Sequence, residues 1–291
     1  MTLLKHGDVQ GFCQVIAYNR SMEEKIYTTP SGKVHYWVDA PDAALPWIVF
    51  VPGLTADHSL FEPQLAYFQG KANLLTWDAP AHAASRPYPL DFTMDDYARI
   101  LHEILETEGV ERPVYVGQSL GGYVGQVYID RYPGSLAGFI SVDSAPLKRE
   151  YYQNWELSAL EHTYAMYLGI PWKLLVAWAG YGVATTEAGR SNMVEMMGKY
   201  GKVEFCRLAA HGYRMLAQAV QAKRPYRIDC PLLVLCGDKD AAGSTRRYNR
   251  EWQKREGVHL EWVPNAGHNS TLDAPEFVNA CIEEFVHSVS K

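Results

Sequence analysis

Short runs rich in β-branched and aromatic residues alternate with helical patterns through most of this chain. That alternation restricts the fold more than any other feature. IYTT and VHYWVD flank TPSGK, whose Pro-Ser-Gly favours a turn, so residues 26–39 read as a hairpin. WIVFV (47–51) is a continuous apolar run, as a parallel strand covered on both faces must be. A helical segment near 59–69 and the strand NLLTWD (73–78) follow. Thr93 and Asp96 have the spacing of a capping box and open a helix to about residue 108. PVYVG (113–117) is a strand, residues 120–132 are helical up to Pro133 and Gly134, and AGFISVD (137–143) is a strand again. Towards the C-terminus come a strand at PLLVLCG (231–237), a helix at 244–256, a strand at HLEWV (259–263) and a helix at 273–288. Such a chain is α/β: a mostly parallel, doubly wound sheet with helices on both faces.

One block breaks the pattern. From about 148 to 227 the chain is helical, unusually rich in aromatics and methionine, and carries no β-run. It reads as an all-helical insertion over the sheet. The domain reading is therefore a core of 1–147 and 228–291, interrupted by 148–227. Of 291 residues, 47% are hydrophobic, enough to bury a full core with such an insertion. The first 25 residues precede the sheet and have no assigned role.

PVYVG runs directly into GQSLGG (117–122), and a helix follows. A G-x-S-x-G sequence in a strand–turn–helix setting is the signature of a nucleophile elbow. The sharp turn strains the serine backbone and lifts Oγ above the sheet. The helix N-terminus turns its partial positive charge towards the place where an oxyanion would form. The bland alternative is a glycine-rich turn before a helix. A phosphate-cradling loop fits less well, because neither G-x-x-x-x-G-K-[ST] nor G-x-G-x-x-G occurs.

A serine hydroxyl needs a base, and the base needs an orienting acid, in the chain order Ser, Asp/Glu, His. After Ser119, PLLVLCG ends in GDKD, which supplies Asp238 and Asp240. HLEWV ends in PNAGHNS, which supplies His268. Both lie just past the C-terminal ends of strands, where ligand sites sit in parallel sheets. The predicted catalytic set is Ser119, Asp240 and His268, with Asp240 preferred to Asp238 and to Asp143, at the end of FISVD. The predicted oxyanion donors are the backbone N–H groups of Leu120, just after the serine, and Leu54, in the loop after WIVFV. His58 lies in that loop and is a candidate to line the pocket. His82 reads as structural, and His211, in the helical block, is left open.

The stretches VFVPGL, LLTWDAPAHAASRP, YVGQSLGGYVG, PLLVLCGDKD and NAGHNS together resemble the α/β-hydrolase superfamily, and they are spread over the whole chain. The resemblance implies a Ser119–Asp240–His268 triad, Leu54 and Leu120 at the oxyanion hole, and a helical cap at 148–227. Two departures stand out. Many relatives have His-Gly where this chain has Pro52-Gly53. The usual D-x-P-G-H-G-x-S loop reads DAPAHAAS, so alanines at 81 and 83 restrict a backbone that is normally glycine.

The implied chemistry is a serine esterase acting through an acyl-enzyme on Ser119. Aromatics and methionines of the insertion would form an adaptable apolar pocket, with Trp155, Trp178 and Met197 as candidate substrate contacts beside His58. Small-to-medium apolar or aromatic acyl esters follow from that. C–C bond hydrolysis, lactone opening and amide cleavage use the same triad, and nothing here separates them. Haloalkane dehalogenases and epoxide hydrolases use an aspartate nucleophile, and Ser119 argues against both. A slow-turnover ligand receptor and a non-catalytic scaffold are the readings from other classes. No cofactor or metal is expected, since no His/Cys/carboxylate cluster has zinc-ligand spacing. The net charge of −6 without a basic run argues against nucleic acid and anionic membranes as partners. The partner left is a small-molecule substrate. Oligomeric state is not legible. No apolar stretch is long enough to span a bilayer, and MTLLKHGDVQGFCQ lacks the apolar core of a signal peptide. The five cysteines (13, 206, 230, 236 and 281) are widely spaced, without a CxxC, as in a cytoplasmic protein with reduced thiols.

Overall fold

The computed structural model describes residues 22–290. Cys13 and most of the N-terminal segment lie outside them. In the first half the chain forms β1 (Glu23–Thr29), β2 (Gly32–Asp39), β3 (Trp47–Val51), α1 (Glu62–Phe68), β4 (Asn73–Trp77), α2 (Met94–Thr107), β5 (Val114–Gln118), α3 (Leu120–Arg131) and β6 (Gly138–Val142). Five helices then follow without a strand: α4 (Asn154–Glu161), α5 (Thr163–Gly169), α6 (Trp172–Val183), α7 (Glu187–Gly198) and α8 (Lys202–Gln221). The last part contains β7 (Leu232–Gly237), α9 (Thr245–Glu256), β8 (His259–Val263), the short α10 (Ser270–Asp273) and α11 (Pro275–Val289).

Among the described residues the strands form one eight-stranded sheet in the order β1-β2-β4-β3-β5-β6-β7-β8. β2 pairs antiparallel with β1 and with β4, and the remaining neighbours are parallel. The strand alternation divides the core in two. Val49, Tyr115, Phe139 and Val234 face one side, packed with residues of α2, α3 and α9. Ile48, Phe50, Val114, Val116, Ile140, Val142, Leu233 and Leu235 face the other, against α1 and α11. β4, β5 and β6 are buried along their whole length, their polar residues Asn73, Thr76, Gln118 and Ser141 included.

Local signals account for the boundaries. Thr93 and Asp96 form the reciprocal capping box at the start of α2. α9 ends at Gly257 in the left-handed conformation. The sequence expected a helix from 273, but the chain breaks at Ala274 and restarts at Pro275. Proline disfavours helical backbone at the residue before it, so α10 and α11 stay separate. The segment near 59–69 likewise opens as a 3-10 turn, His58–Phe61, capped by the Asp57 side chain, before α1 begins. The hairpin starts at Glu23, three residues before the predicted start at 26, because β1 pairs with β2 along its full length. Among the described residues no helix is long and apolar enough to cross a membrane. Cys206, Cys230, Cys236 and Cys281 are free thiols.

Candidate active site

β5 passes into α3 through Ser119, whose φ of 50° and ψ of −115° lie where non-glycine residues are strained. The crossing is tight. A Cβ on Gly121 would stand 2.0 Å from the Val51 carbonyl oxygen, and one on Gly117 would stand 2.5 Å from the Gly121 carbonyl oxygen. These two positions therefore require glycine. The Ser119 N–H donates to the Val142 carbonyl at 2.9 Å, which ties the turn to the end of β6.

Two strand-end loops bring the partners. His268 follows β8, and its Nε2 stands 2.8 Å from Ser119 Oγ. Its Nδ1 stands 2.9 Å from Asp240 Oδ2, in the loop after β7. In this geometry a neutral imidazole donates to the carboxylate and accepts from the hydroxyl. Asp240 is 3% exposed, and its other oxygen accepts from the Ala242 N–H at 2.8 Å. Burial alone would lower the His268 pKa, but the charge and hydrogen bond of Asp240 outweigh it and raise the pKa above that of an ordinary imidazole.

A family model, the alpha/beta hydrolase family, matches residues 48–280 and so spans both loops and the elbow. The chain belongs to the alpha/beta hydrolase family. Among relatives, the protein named "Putative carbamate hydrolase RutD" of Shigella flexneri is 24% identical over 260 residues, covering 83% of this chain and 91% of that one. A hydrolase of Pseudomonas aeruginosa PA01 superimposes with a TM-score of 0.76 at 18% identity, covering 91% of this chain and 98% of that one. A thermophilic esterase of Thermogutta terrifontis gives 0.68 at 20% identity, over 93% and 99%.

Of the three carboxylates weighed for the acid of this alpha/beta hydrolase, Asp240 is the one hydrogen-bonded to His268. Asp238 is bound instead to its neighbour Lys239. Asp143 lies just behind Asp240. One oxygen accepts from the Gly237 N–H, and the other accepts from the Ser270 N–H and hydroxyl. Burial and the Asp240 charge push the Asp143 carboxyl up to about 7. With Cys236 these two carboxylates fall within 4.8 Å of one another, as do Asp57, His58 and Asp78. Both groups are already satisfied internally. Asp57 accepts from Lys199 Nζ at 2.6 Å, so an ammonium group occupies the cation's place there.

The loop of Pro52 to Leu54 packs against the elbow, where a Cβ on Gly53 would lie 3.0 Å from Ser119 Cβ. Leu120 opens α3, so its N–H belongs to the first turn, which has no intrahelical acceptor. The DAPAHAAS loop takes the shape a glycine would take, with Ala81 at φ 67° and Ala83 at φ 34°. The Ala84 N–H donates to Asp78 Oδ2 and the Ala83 N–H to the Tyr200 hydroxyl. These contacts hold the strained backbone.

The other predicted contacts differ in bonding and burial. His58 is bound to Asp78 Oδ1 through Nδ1 at 2.9 Å and packs on Trp37. Burial lowers its pKa, and Asp78 more than restores it. Met197 is fully buried in the core, while Trp155 and Trp178 are 70% and 56% exposed. His82 is buried and bonded to the Pro80 carbonyl, as a structural residue. His211 bonds the Phe92 carbonyl through Nε2.

Sequence reasoning missed the supports of the histidine loop. The Gln118 side chain donates to the His268 carbonyl at 2.8 Å. The Asn269 N–H donates to the Val183 carbonyl of the insertion at 2.8 Å. Asp273 accepts from the Gly267 N–H. Gln118 sits inside the elbow motif and was findable there. Asp273 reads in the sequence only as a helix start.

Proposed function

We propose that this protein is a serine esterase for small-to-medium carboxylic esters with apolar or aromatic acyl groups. The observation that carries the reading is the continuous chain of contacts from Ser119 Oγ through the His268 ring to Asp240. His268 takes the Ser119 proton as Oγ attacks the ester carbonyl. Asp240 holds the Nδ1–H tautomer and stabilises the imidazolium. The N–H groups of Leu54 and Leu120 receive the oxyanion. The protonated His268 then gives its proton to the leaving alcohol. It next activates water, which hydrolyses the acyl-enzyme.

Residues 148–227 act in this reading as a cap. Two contacts support that role. The insertion meets the histidine loop through Val183, and a Cβ on Gly212 would lie 2.3 Å from the Leu54 side chain. The four cysteines among the described residues are free thiols, which favours a reducing, cytoplasmic setting. A carbamate substrate is the second reading. It needs the same attack at an acyl carbon, and it is favoured by the likeness to the protein named as a carbamate hydrolase.

The test is labelling with a fluorophosphonate, read by intact mass and peptide mapping, followed by turnover on ester and carbamate panels. A single adduct on Ser119, absent in Ser119→Ala, with ester turnover is the expected outcome. Labelling with no turnover on either panel would favour the slow receptor. No adduct on folded protein would overturn the mechanism.

A further inference from the structure

The carboxylate of Asp273 is shared between two parts of the chain that are distant in sequence. Oδ2 accepts from the Gly267 N–H at 2.8 Å, on the residue before His268, and from the Thr185 N–H at 2.9 Å. Oδ1 accepts from the Thr186 N–H at 2.9 Å and from its hydroxyl at 2.7 Å. Thr185 and Thr186 form the link between α6 and α7 of the insertion. Further contacts join the same two segments directly. The Thr185 hydroxyl donates to the Asn265 carbonyl at 2.6 Å, and Asn269 N–H to the Val183 carbonyl at 2.8 Å. The fit is close: a Cβ on Gly267 would stand 2.7 Å from the Val183 oxygen, and one on Gly189 would stand 2.9 Å from Asp273 Oδ1.

We infer that Asp273 is a positioning residue for His268, binding the histidine loop and the α6–α7 link of the insertion into one unit. It touches no reacting atom. It acts by holding Gly267, and so the direction from which the imidazole reaches Ser119. The inference rests on reading His268 as the base. Four donors converge on one carboxylate, and charge-assisted hydrogen bonds of this kind are stronger than neutral ones. The consequence is that the insertion sets the reach of the base as well as covering the site. A displacement of the link moves the histidine loop with it.

Asp273→Asn keeps the shape but turns an NH2 group towards donors, so half of the four contacts are lost. The expected result is a fall in kcat of about 10- to 100-fold, as for a modest misplacement of a catalytic group. KM stays within about twofold, because the acyl pocket is unchanged. The rate of fluorophosphonate labelling at Ser119 falls in parallel. Hydrogen exchange at Gly267, Thr185 and Thr186 rises together. Wild-type kcat and labelling rate in the folded variant would overturn the inference and leave Asp273 a link in the fold. So would a rise in KM alone.

If Asp273→Asn does not fold, Gly189→Ala carries the test. Its methyl group would stand 2.9 Å from Asp273 Oδ1 and 2.8 Å from Ala184 Cβ, crowding the carboxylate and the link together without altering charge. A fall in kcat of about 3- to 10-fold is expected, the equivalent of one or two weakened hydrogen bonds. Wild-type kcat there would equally overturn the inference. Labelling of Ser119→Ala would instead sink the esterase reading, whatever the Asp273 variants do.

Discussion

β6 and α6 are both apolar runs, GFISV and WKLLVAWAGYGV, and the structure treats them differently. Every residue of β6 is buried. α6 buries only Leu175 and Gly180 and leaves Trp178 and Tyr181 facing solvent at 56% and 71% exposure. A central strand is covered on both faces whatever its neighbours are, so an apolar run there has one reading. An apolar run in a helix says that some face is buried without saying which. The same contrast governs the site. Ser119, Asp240 and His268 stand at strand ends, and the sheet fixes where strand ends go. Trp155, Trp178 and Met197 stand on the insertion, where their burial depended on packing that the sequence does not spell out.

The largest expected effects test the strand-end half. His268→Ala lowers kcat/KM on an activated ester by at least about a thousandfold, and Asp240→Asn by up to about ten-thousandfold, with the fold retained in both. Steady-state kinetics beside circular dichroism checks this. A loss of only a few fold would break the contrast, because the sheet would then not be placing the chemistry.

The pH profile sharpens the same half. In the proposed mechanism His268 serves as a base only when neutral, and Asp240 holds its pKa above that of a free imidazole despite burial. The acid limb of kcat/KM therefore lies above about 6.5. Activity falls as pH drops through that limb. The residual activity of Asp240→Asn should show a limb at lower pH, since the stabilising charge is gone. An unmoved limb would assign the titration to another group, and Asp143, with its carboxyl at about 7, would be the first to examine.

Within the insertion, stability should divide by burial and not by residue type. Met197→Ala removes a fully buried side chain and costs about 2–4 kcal/mol of folding stability. Trp155→Ala and Trp178→Ala take away mostly solvent-facing surface and stay within about 0.5 kcal/mol. Denaturant melts of the three variants give the comparison. If the exposed tryptophans cost as much as Met197, their face is covered in solution, and the difference between α6 and β6 shrinks.

How much was legible follows the same division. The sheet, the five-helix interruption and the strand-end residues could be read because each rests on a local pattern: a buried run, a capping box, a glycine-flanked serine. The two alanines of DAPAHAAS put the loop's shape in question, and the structure shows Ala81 and Ala83 at positive φ, held by Asp78 and Tyr200. Asp78 opens the motif itself, but Tyr200 comes from the end of the distant α7 segment, and no local pattern announces it. Asp273 was hidden for the same reason: its four donors come from residues 185, 186 and 267.

The smallest effect concerns a contact that joins the two regions. Lys199, at the end of α7, reaches Asp57 in the loop after β3, and that carboxylate is almost fully buried. Burial alone would raise the Asp57 pKa, but the Lys199 and Ser59 contacts bring it below the ordinary carboxylate value. A depressed folded-state pKa adds stability that is present above the unfolded value, near 4, and lost as pH falls through the folded one. Lys199→Met should therefore cost about 1–2 kcal/mol at neutral pH, since Asp57 keeps its Ser59 contact and Lys199 is partly exposed. The gap between variant and wild type should narrow below about pH 4, where protonation removes the charge that Lys199 answers. Urea melts from neutral to acid pH measure it. A gap that stays constant into acid would mean that Lys199 holds the insertion down by its aliphatic stem and not by its charge.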